Sequence, residues 1–293
     1  MHRDEDAGQP LFLTTREVAE MLRIKERKVY DLVAAGEIPF RRMTGKLLFP
    51  RADILAWIGE APAAPTAERP AVLTGSHDPL LDWAVRESGA GLATLWNGSL
   101  DGLERFAAAE AALAGLHVPE EDSWNIATVA ARGLRDCVLI GWAKRTRGLL
   151  VSAQERDRIG AIQDLKGKRV ALRQPGAGAA VLFDQLLRQA DLKRDHIHAV
   201  DSIARTETDA AAAIAAGEAD AALGLEAMAR QFHLGFLPLL EERFDLLIDR
   251  RAYFTEAVQK LMGFSRSEAL HAKAELLGGY NLACLGRVQW LSP

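Results

Sequence analysis

The chain has 293 residues, 49% of them hydrophobic and 26% charged, with a formal net charge of −4. That length allows two or three domains, each with its own core, and the composition is ordinary for a globular protein. No apolar run approaches the roughly 18–20 residues that span a bilayer. The first ten residues, MHRDEDAGQP, are acidic and polar, which excludes a secretory leader there and predicts a disordered tail over 1–10 and a cytoplasmic protein with no membrane partner. Cys137 and Cys284 are the only cysteines and no CxxC occurs, so neither a disulfide framework nor a zinc site is expected.

Charge is unevenly placed. Residues 11–58 hold nine Lys/Arg against six Asp/Glu, so a small basic module sits on an acidic body. Thr14 or Thr15 can cap a first helix with Glu17 in its first turn, and Val18, Ala19 and Leu22 supply its apolar face. After a break at Arg23-Ile24, Lys25–Ala35 reads as a second helix with Val29, Leu32 and Val33 inward and Gly36 as the stop. IPFRRMTGKLLF reads as two short strands around a Thr44-Gly45 turn, and Arg51-Ala-Asp53 opens a last helix over Ile54–Ile58. Two helices, a hairpin and a closing helix make a winged helix-turn-helix. Lys25, Arg27, Lys28 and Tyr30 lie on the polar side of the second helix, as on a helix that enters the DNA major groove. Arg41, Arg42 and Lys46 lie on or beside the hairpin, suited to phosphate contact. A solvated basic helix in a small docking domain is the alternative reading.

This stretch resembles the excisionase/MerR-type helix-turn-helix family. The likeness rests on Leu13-Thr14-Thr15, the first helix Glu17–Leu22, the run Lys28–Arg42 and the closing Arg51–Trp57. The resemblance implies binding to a double-stranded DNA operator and adds Thr15 to the DNA-facing residues.

Residues 59–70 carry three prolines among alanines and read as a semi-rigid linker, which leaves 71–293 as a second domain. There, apolar runs alternate with helical periodicity. Helices are expected over Leu80–Glu87, Leu100–Leu113, Ala179–Ala190 and Ala210–Ala216. Strands are expected over Cys137–Ala143, Leu149–Ser152, Arg169–Arg173, Ala219–Leu223, Phe236–Leu240 and Phe244–Ile248. That alternation predicts parallel α/β sheets, in which ligands sit beyond the carboxyl ends of strands at helix N-termini. Three such junctions stand out: GSHDP with Ser76 and His77, WNGSLDG with Asn97, Gly98 and Ser99, and RQPGAGAA with Arg173 and the turn Gly176-Ala177-Gly178-Ala179. Helix N-termini present unpaired N–H groups and partial positive charge, so these junctions suit an anion. Glu207, Thr208 and Asp209 open a further helix, and Trp83, Trp96, Trp124 and Trp142 either line a cleft or fill the core.

From about Val72 to Leu285 the chain is similar to the periplasmic-binding-protein-like domains fused behind helix-turn-helix heads in bacterial regulators. The motifs are GSHDPLLD, NGSLDGLERFAAAE, LRQPGAGAAVLFDQLL, ARTETDAAAAIAAGEADAALGLEAMAR and LGFLPLLEERFDLLIDR. The resemblance implies an α/β chain: a mostly α winged head and a type II, two-lobed α/β domain with two crossover strands as the hinge. Its likeness to molybdate- and tungstate-binding proteins implies an oxyanion held by Ser76, Ser99 and the turn Gly176–Ala179, with Glu226 facing the cleft. Relatives carry Gly-Ser-Gly-Thr where this chain has Gly176-Ala177-Gly178-Ala179, and Thr-His where it has Thr208-Asp209. Those departures leave an organic metabolite as the alternative ligand, recognised by Glu207, Asp209 and Glu226. An acid in an anion pocket is costly unless paired, and Arg173 can supply the pairing. No nucleophile elbow, P-loop or HExxH occurs, so no catalytic residue, cofactor or metal is expected. The expected protein is a ligand-responsive regulator acting as a homodimer.

Overall fold

The computed structural model describes residues 10–43, 45–59, 68–121 and 123–293, and the chain divides into a unit over Met1–Ala67 and a second over Glu68–Pro293.

In the first unit β1 (Phe12–Leu13) leads into α1 (Thr15–Leu22). Thr14 is the cap: its hydroxyl accepts from the Glu17 N–H at 3.3 Å, and Glu17 accepts the Thr14 N–H at 2.7 Å. Arg23, with φ +53°, ends α1 in the left-handed conformation. α2 (Glu26–Ala35) follows and stops at Gly36, as its sequence predicts. β2 (Arg41–Met43) and β3 (Lys46–Pro50) form the hairpin, and α3 (Arg51–Gly59) closes the unit. Thr44 of the expected turn lies outside the described residues. The sheet has three strands, in the order β1-β3-β2, where two were expected. The extra pairing sets Leu13 opposite Phe49, and both are buried with Val18, Val29, Ile38 and Ile54.

The second unit opens with β4 (Val72–Gly75), α4 (Pro79–Glu87), β5 (Ala93–Leu95), α5 (Ser99–Ala107), β6 (Leu113–Leu116) and α6 (Ile126–Ala130). β7 (Cys137–Val151) then runs for 15 residues. β8 (Arg169–Ala171), α7 (Gly178–Gln189), β9 (His198–Ala199), α8 (Glu207–Ala215), β10 (Ala221–Leu225) and α9 (Glu226–Gln231) follow. β11 (Gly235–Asp249) is again 15 residues, before α10 (Glu256–Phe264), α11 (Glu268–Leu277), β12 (Tyr280–Asn281) and β13 (Val288–Leu291). Strand order along the main path is β5-β4-β6-β11-β7-β10-β8-β9. The parallel strands β5, β4 and β6 make one lobe, and β10, β8 and β9 make the other in the same relative order. β7 and β11 pair antiparallel from Cys137↔Asp249 to Gly235↔Val151 and carry the chain between the lobes.

The second unit departs from its sequence pattern in two places. The four strands expected over 137–152 and 236–248 are two continuous strands, because the charged runs around Arg145 and Glu242 remain in register across the lobe junction. The helix expected over Leu100–Leu113 ends at Ala107; Ala109 turns back with φ +61°, and Leu113–Leu116 is a fully buried strand between β4 and β11. Helix propensity in that alanine-rich tract yields to burial in the sheet.

Candidate functional site

On the first unit, α2 faces Val29 into the core and leaves Arg27, Lys28 and Tyr30 exposed, with Lys25 exposed at its N-cap. Arg41 and Arg42 on β2 and Lys46 on β3 are exposed as well, and Arg41 stands 4.0 Å from Asp53. Thr15, expected on the DNA side, is buried in the first turn of α1.

In the second unit the strand-to-helix junctions of the two lobes meet. The hydroxyls of Ser76 and Ser99 lie 2.9 Å apart, both fully buried, and the His117 N–H donates to the Ser99 Oγ at 3.1 Å. Across the seam the Leu100 N–H donates to the Gly176 carbonyl at 3.1 Å. Gly98 (φ +100°) lies so close to Ala177 that a Cβ there would sit 2.9 Å from its N and Cα. A Cβ on Gly178 would meet the His117 carbonyl at 2.3 Å and Cε1 at 2.9 Å. Neither α5 nor α7 has a side-chain N-cap, so first-turn N–H groups of both helices sit at this seam. Ala177 is corrected as a free donor: its N–H is held by the Gln174 carbonyl at 3.2 Å. Asn97 is half-buried in the turn before Gly98. His77 is buried, edge-on to Trp96 at 5.6 Å, and its Nδ1 lies 3.4 Å from the Glu207 N–H in the opposite lobe. Burial lowers its pKa against the pull of Glu207 and Asp78.

Beneath this seam lies a buried charge network of which sequence reasoning supplied only Arg173 and Glu207. Arg145 on β7 donates to Asp78 at 2.9 Å and to Glu242 on β11. Arg147 donates to Glu242 at 2.7 Å and twice to Glu207 at 3.1 Å, and Arg173 donates to Glu207 at 2.5 Å. Tyr280 donates to Asp78 at 2.8 Å, and Trp142, fully buried, donates to it at 3.1 Å. Three guanidinium groups thus meet three carboxylates, so the network is neutral. Burial alone would raise the Glu207 carboxyl, but Arg147 and Arg173 outweigh it and hold the group at about 2. Glu242 is likewise held well below its ordinary value: Arg145 and Arg147 outweigh the cost of burying it. Among the described residues, His117 Nε2, Arg145 Nε and Arg147 Nε have no hydrogen-bond partner. The available signal in the sequence was the Arg-x-Arg spacing inside an apolar run, which puts both side chains on one face of a strand.

The other expected acids are occupied elsewhere. Asp209 caps α8, accepting the N–H groups of Arg205 and Thr206 at 3.0 and 2.9 Å, and is exposed. Glu226 pairs with Arg230 one turn on at 2.6 Å. Thr208 is half-buried, its hydroxyl 3.8 Å from the Met228 sulfur.

The model of the PBP superfamily domain family matches residues 82–266, more than half of the chain, and a helix-turn-helix domain model matches 12–61. The chain belongs to the PBP superfamily domain family and carries a helix-turn-helix domain ahead of it. Joined in one chain, these two domains are the build of a ligand-responsive transcriptional regulator. It is similar to the uncharacterized protein YvgK of Bacillus subtilis (strain 168), at 25% identity over 312 residues that cover 94% of this chain and 96% of that one. Among solved structures, PhnD1 from Prochlorococcus marinus in complex with methylphosphonate superposes with a TM-score of 0.50 at 11% identity, over 72% of this chain and 90% of that one. OxyR of Corynebacterium glutamicum gives 0.49 at 12% identity, over 90% and 89%. Among the described residues no helix is long and apolar enough to cross a membrane.

Proposed function

We propose that the protein is a cytoplasmic transcriptional regulator that binds duplex DNA as a homodimer and responds to a small oxyanion held between its two lobes. In this reading Lys25, Arg27, Lys28 and Tyr30 enter the major groove, while Arg41, Arg42 and Lys46 hold the flanking phosphates. The anion lies at the seam, taken by the hydroxyls of Ser76 and Ser99 and the first-turn N–H groups of α7 at Gly178 and Ala179. Molybdate and tungstate belong to this class with sulfate and phosphate.

The observation that carries the reading is the convergence of two buried hydroxyls and two uncapped helix N-termini at one point between the lobes. Carboxylates near a cleft argue for an amine or polyhydroxy ligand. Here Glu207 is matched by two arginines, Asp209 caps its helix and Glu226 pairs with Arg230, so none is left to recognise one. Neutral donors stabilise a desolvated oxyanion without a counter-ion.

Thermal denaturation of the full chain against molybdate, tungstate, sulfate, phosphate, organic acids, amines and sugars tests the proposal. A ligand at 100 times its Kd stabilises by about 2.7 kcal/mol. The expected result is a shift with an inorganic oxyanion that Ser76→Ala with Ser99→Ala abolishes. A response confined to amines or sugars overturns it.

A further inference from the structure

We infer that the seam selects oxyanions that still carry a proton over fully deprotonated ones, with His117 Nε2 accepting that proton's hydrogen bond. The inference rests on the oxyanion reading above and narrows the ligand class.

His117 follows β6 and is fully buried. Its Nδ1 lies 3.1 Å from Glu242 Oε2. Glu242 is ionised, held so by Arg145 and Arg147, and an ionised carboxylate only accepts. Nδ1 therefore carries the ring hydrogen, which leaves Nε2 as a bare lone pair. Burial and the two arginines lower the pKa of this imidazole and outweigh the pull of Glu242, so it is neutral near pH 7. Phe244 stacks on the ring at 5.8 Å and fixes its plane.

Nε2 has no partner among the described residues. Its bonded neighbour Cε1 abuts Gly178, the first residue of α7, and the His117 N–H is already on Ser99. The lone pair thus stands among the same hydroxyls and helix N–H groups that hold the anion. A ligand with an O–H gives it the donor it lacks, whereas sulfate and molybdate oppose it with a lone pair of their own. A site with a buried polar group made for a ligand hydroxyl rejects the analogue without one strongly. The ratio expected here is roughly tenfold to a hundredfold.

Isothermal titration of the full chain near pH 7, at constant ionic strength, compares phosphate and arsenate, which keep a proton, with sulfate and molybdate, which do not. Phosphate and arsenate are expected to bind at least about tenfold tighter. A second arm uses methylphosphonate, which loses its only proton as pH rises from about 6 to about 9, while phosphate retains one. Glu242, Arg145 and Arg147 hold their charge across that range, and His117, its pKa lowered by burial, is neutral from about pH 7 upward. Methylphosphonate affinity is therefore expected to fall while phosphate affinity does not, and His117→Leu is expected to level the panel. Equal binding of sulfate, molybdate and phosphate, or a flat methylphosphonate series, overturns the selection and leaves the oxyanion reading standing. If none of these anions binds, both fail.

Discussion

Replacing Glu207 by glutamine tests the buried network most directly. The glutamate is fully buried and accepts three hydrogen bonds, two from Arg147 and one from Arg173. Glutamine keeps the shape, removes the charge and turns an amide N–H₂ toward a guanidinium. Arg147 retains Glu242, but Arg173 keeps only the carbonyls of Ala204 and Arg205, so the network passes from neutral to +1. Removing one partner of a buried pair costs about 3–5 kcal/mol. The lowered carboxyl gives the same order: held at about 2 in the fold against an ordinary value of 4.5, it corresponds to about 3 kcal/mol at neutral pH. For a unit of this size the loss is a Tm decrease of roughly 6–20 °C. Urea denaturation followed by tryptophan fluorescence reads it, since five of the six tryptophans lie beyond residue 68. Adding Arg173→Met restores neutrality and is expected to recover more than half of the loss. The sign with pH follows from the lowered value. Stability from Glu207 is present above about pH 4.5 and is lost as pH falls toward 2, so the glutamine variant loses less than wild type over that interval. A Glu207→Gln cost under about 1 kcal/mol, or no recovery on adding Arg173→Met, refutes the charge-balance argument.

Gly98→Ala places a Cβ against Ala177 at a φ of +100°, so we expect a loss of about 1–3 kcal/mol, a larger radius of gyration by small-angle scattering and no stabilisation by oxyanions. Unchanged scattering would show that the seam accommodates the methyl. Arg41→Ala with Arg42→Ala is expected to weaken binding to a mixed-sequence duplex and to lower the slope of log affinity on log salt by about 0.9 for each lost phosphate contact. An unaltered slope would remove the hairpin from the DNA interface. Thr14→Ala removes half of the α1 capping box and is expected to cost about 1 kcal/mol, read as faster hydrogen exchange of the α1 amides in the full chain.

The head was legible nearly element by element because its signals are local: a Thr-x-x-Glu cap, a glycine stop, a hairpin between basic residues. Only β1 escaped, since two residues carry no periodicity. In the second unit the three strand-to-helix junctions were legible for the same reason. Each is a short run of small and hydroxyl residues between a strand and a helix, and the fold brings Ser76, Gly98, Ser99 and Gly176–Gly178 together. What did not show was the middle of the crossover strands. Lys144, Arg145 and Arg147 in one, and Glu241, Glu242 and Arg243 in the other, read as breaks because a charged residue inside an apolar run ordinarily marks a loop. Arg145 meets Glu242 from 97 positions away and Arg147 meets Glu207 from 60, and no local pattern encodes such a pairing. His117 was hidden in the same way, its role being set by Glu242, 125 residues on.

The neutrality of that network has a consequence for the ligand. With its three arginines matched by three carboxylates, the hinge offers an arriving anion no net positive charge, and what remains at the seam is dipolar: hydroxyls and helix N-termini. Dipoles of that kind, with the lone pair of His117 Nε2 beside them, read where a ligand carries its hydrogen rather than its net charge, which agrees with selection for a ligand that keeps its proton. The network also joins the lobes by itself, since Asp78 belongs to one, Glu207 and Arg173 to the other, and Arg145, Arg147 and Glu242 to the strands between. Part of the free energy that brings the lobes together is therefore intrinsic to the chain. A ligand moves the equilibrium only by its differential affinity for the two arrangements, and couplings of about 1–3 kcal/mol suffice for control at an operator. Weakening the network by Glu207→Gln at constant ligand contacts should then make lobe contact, and any DNA response that follows it, depend more steeply on oxyanion concentration than in wild type.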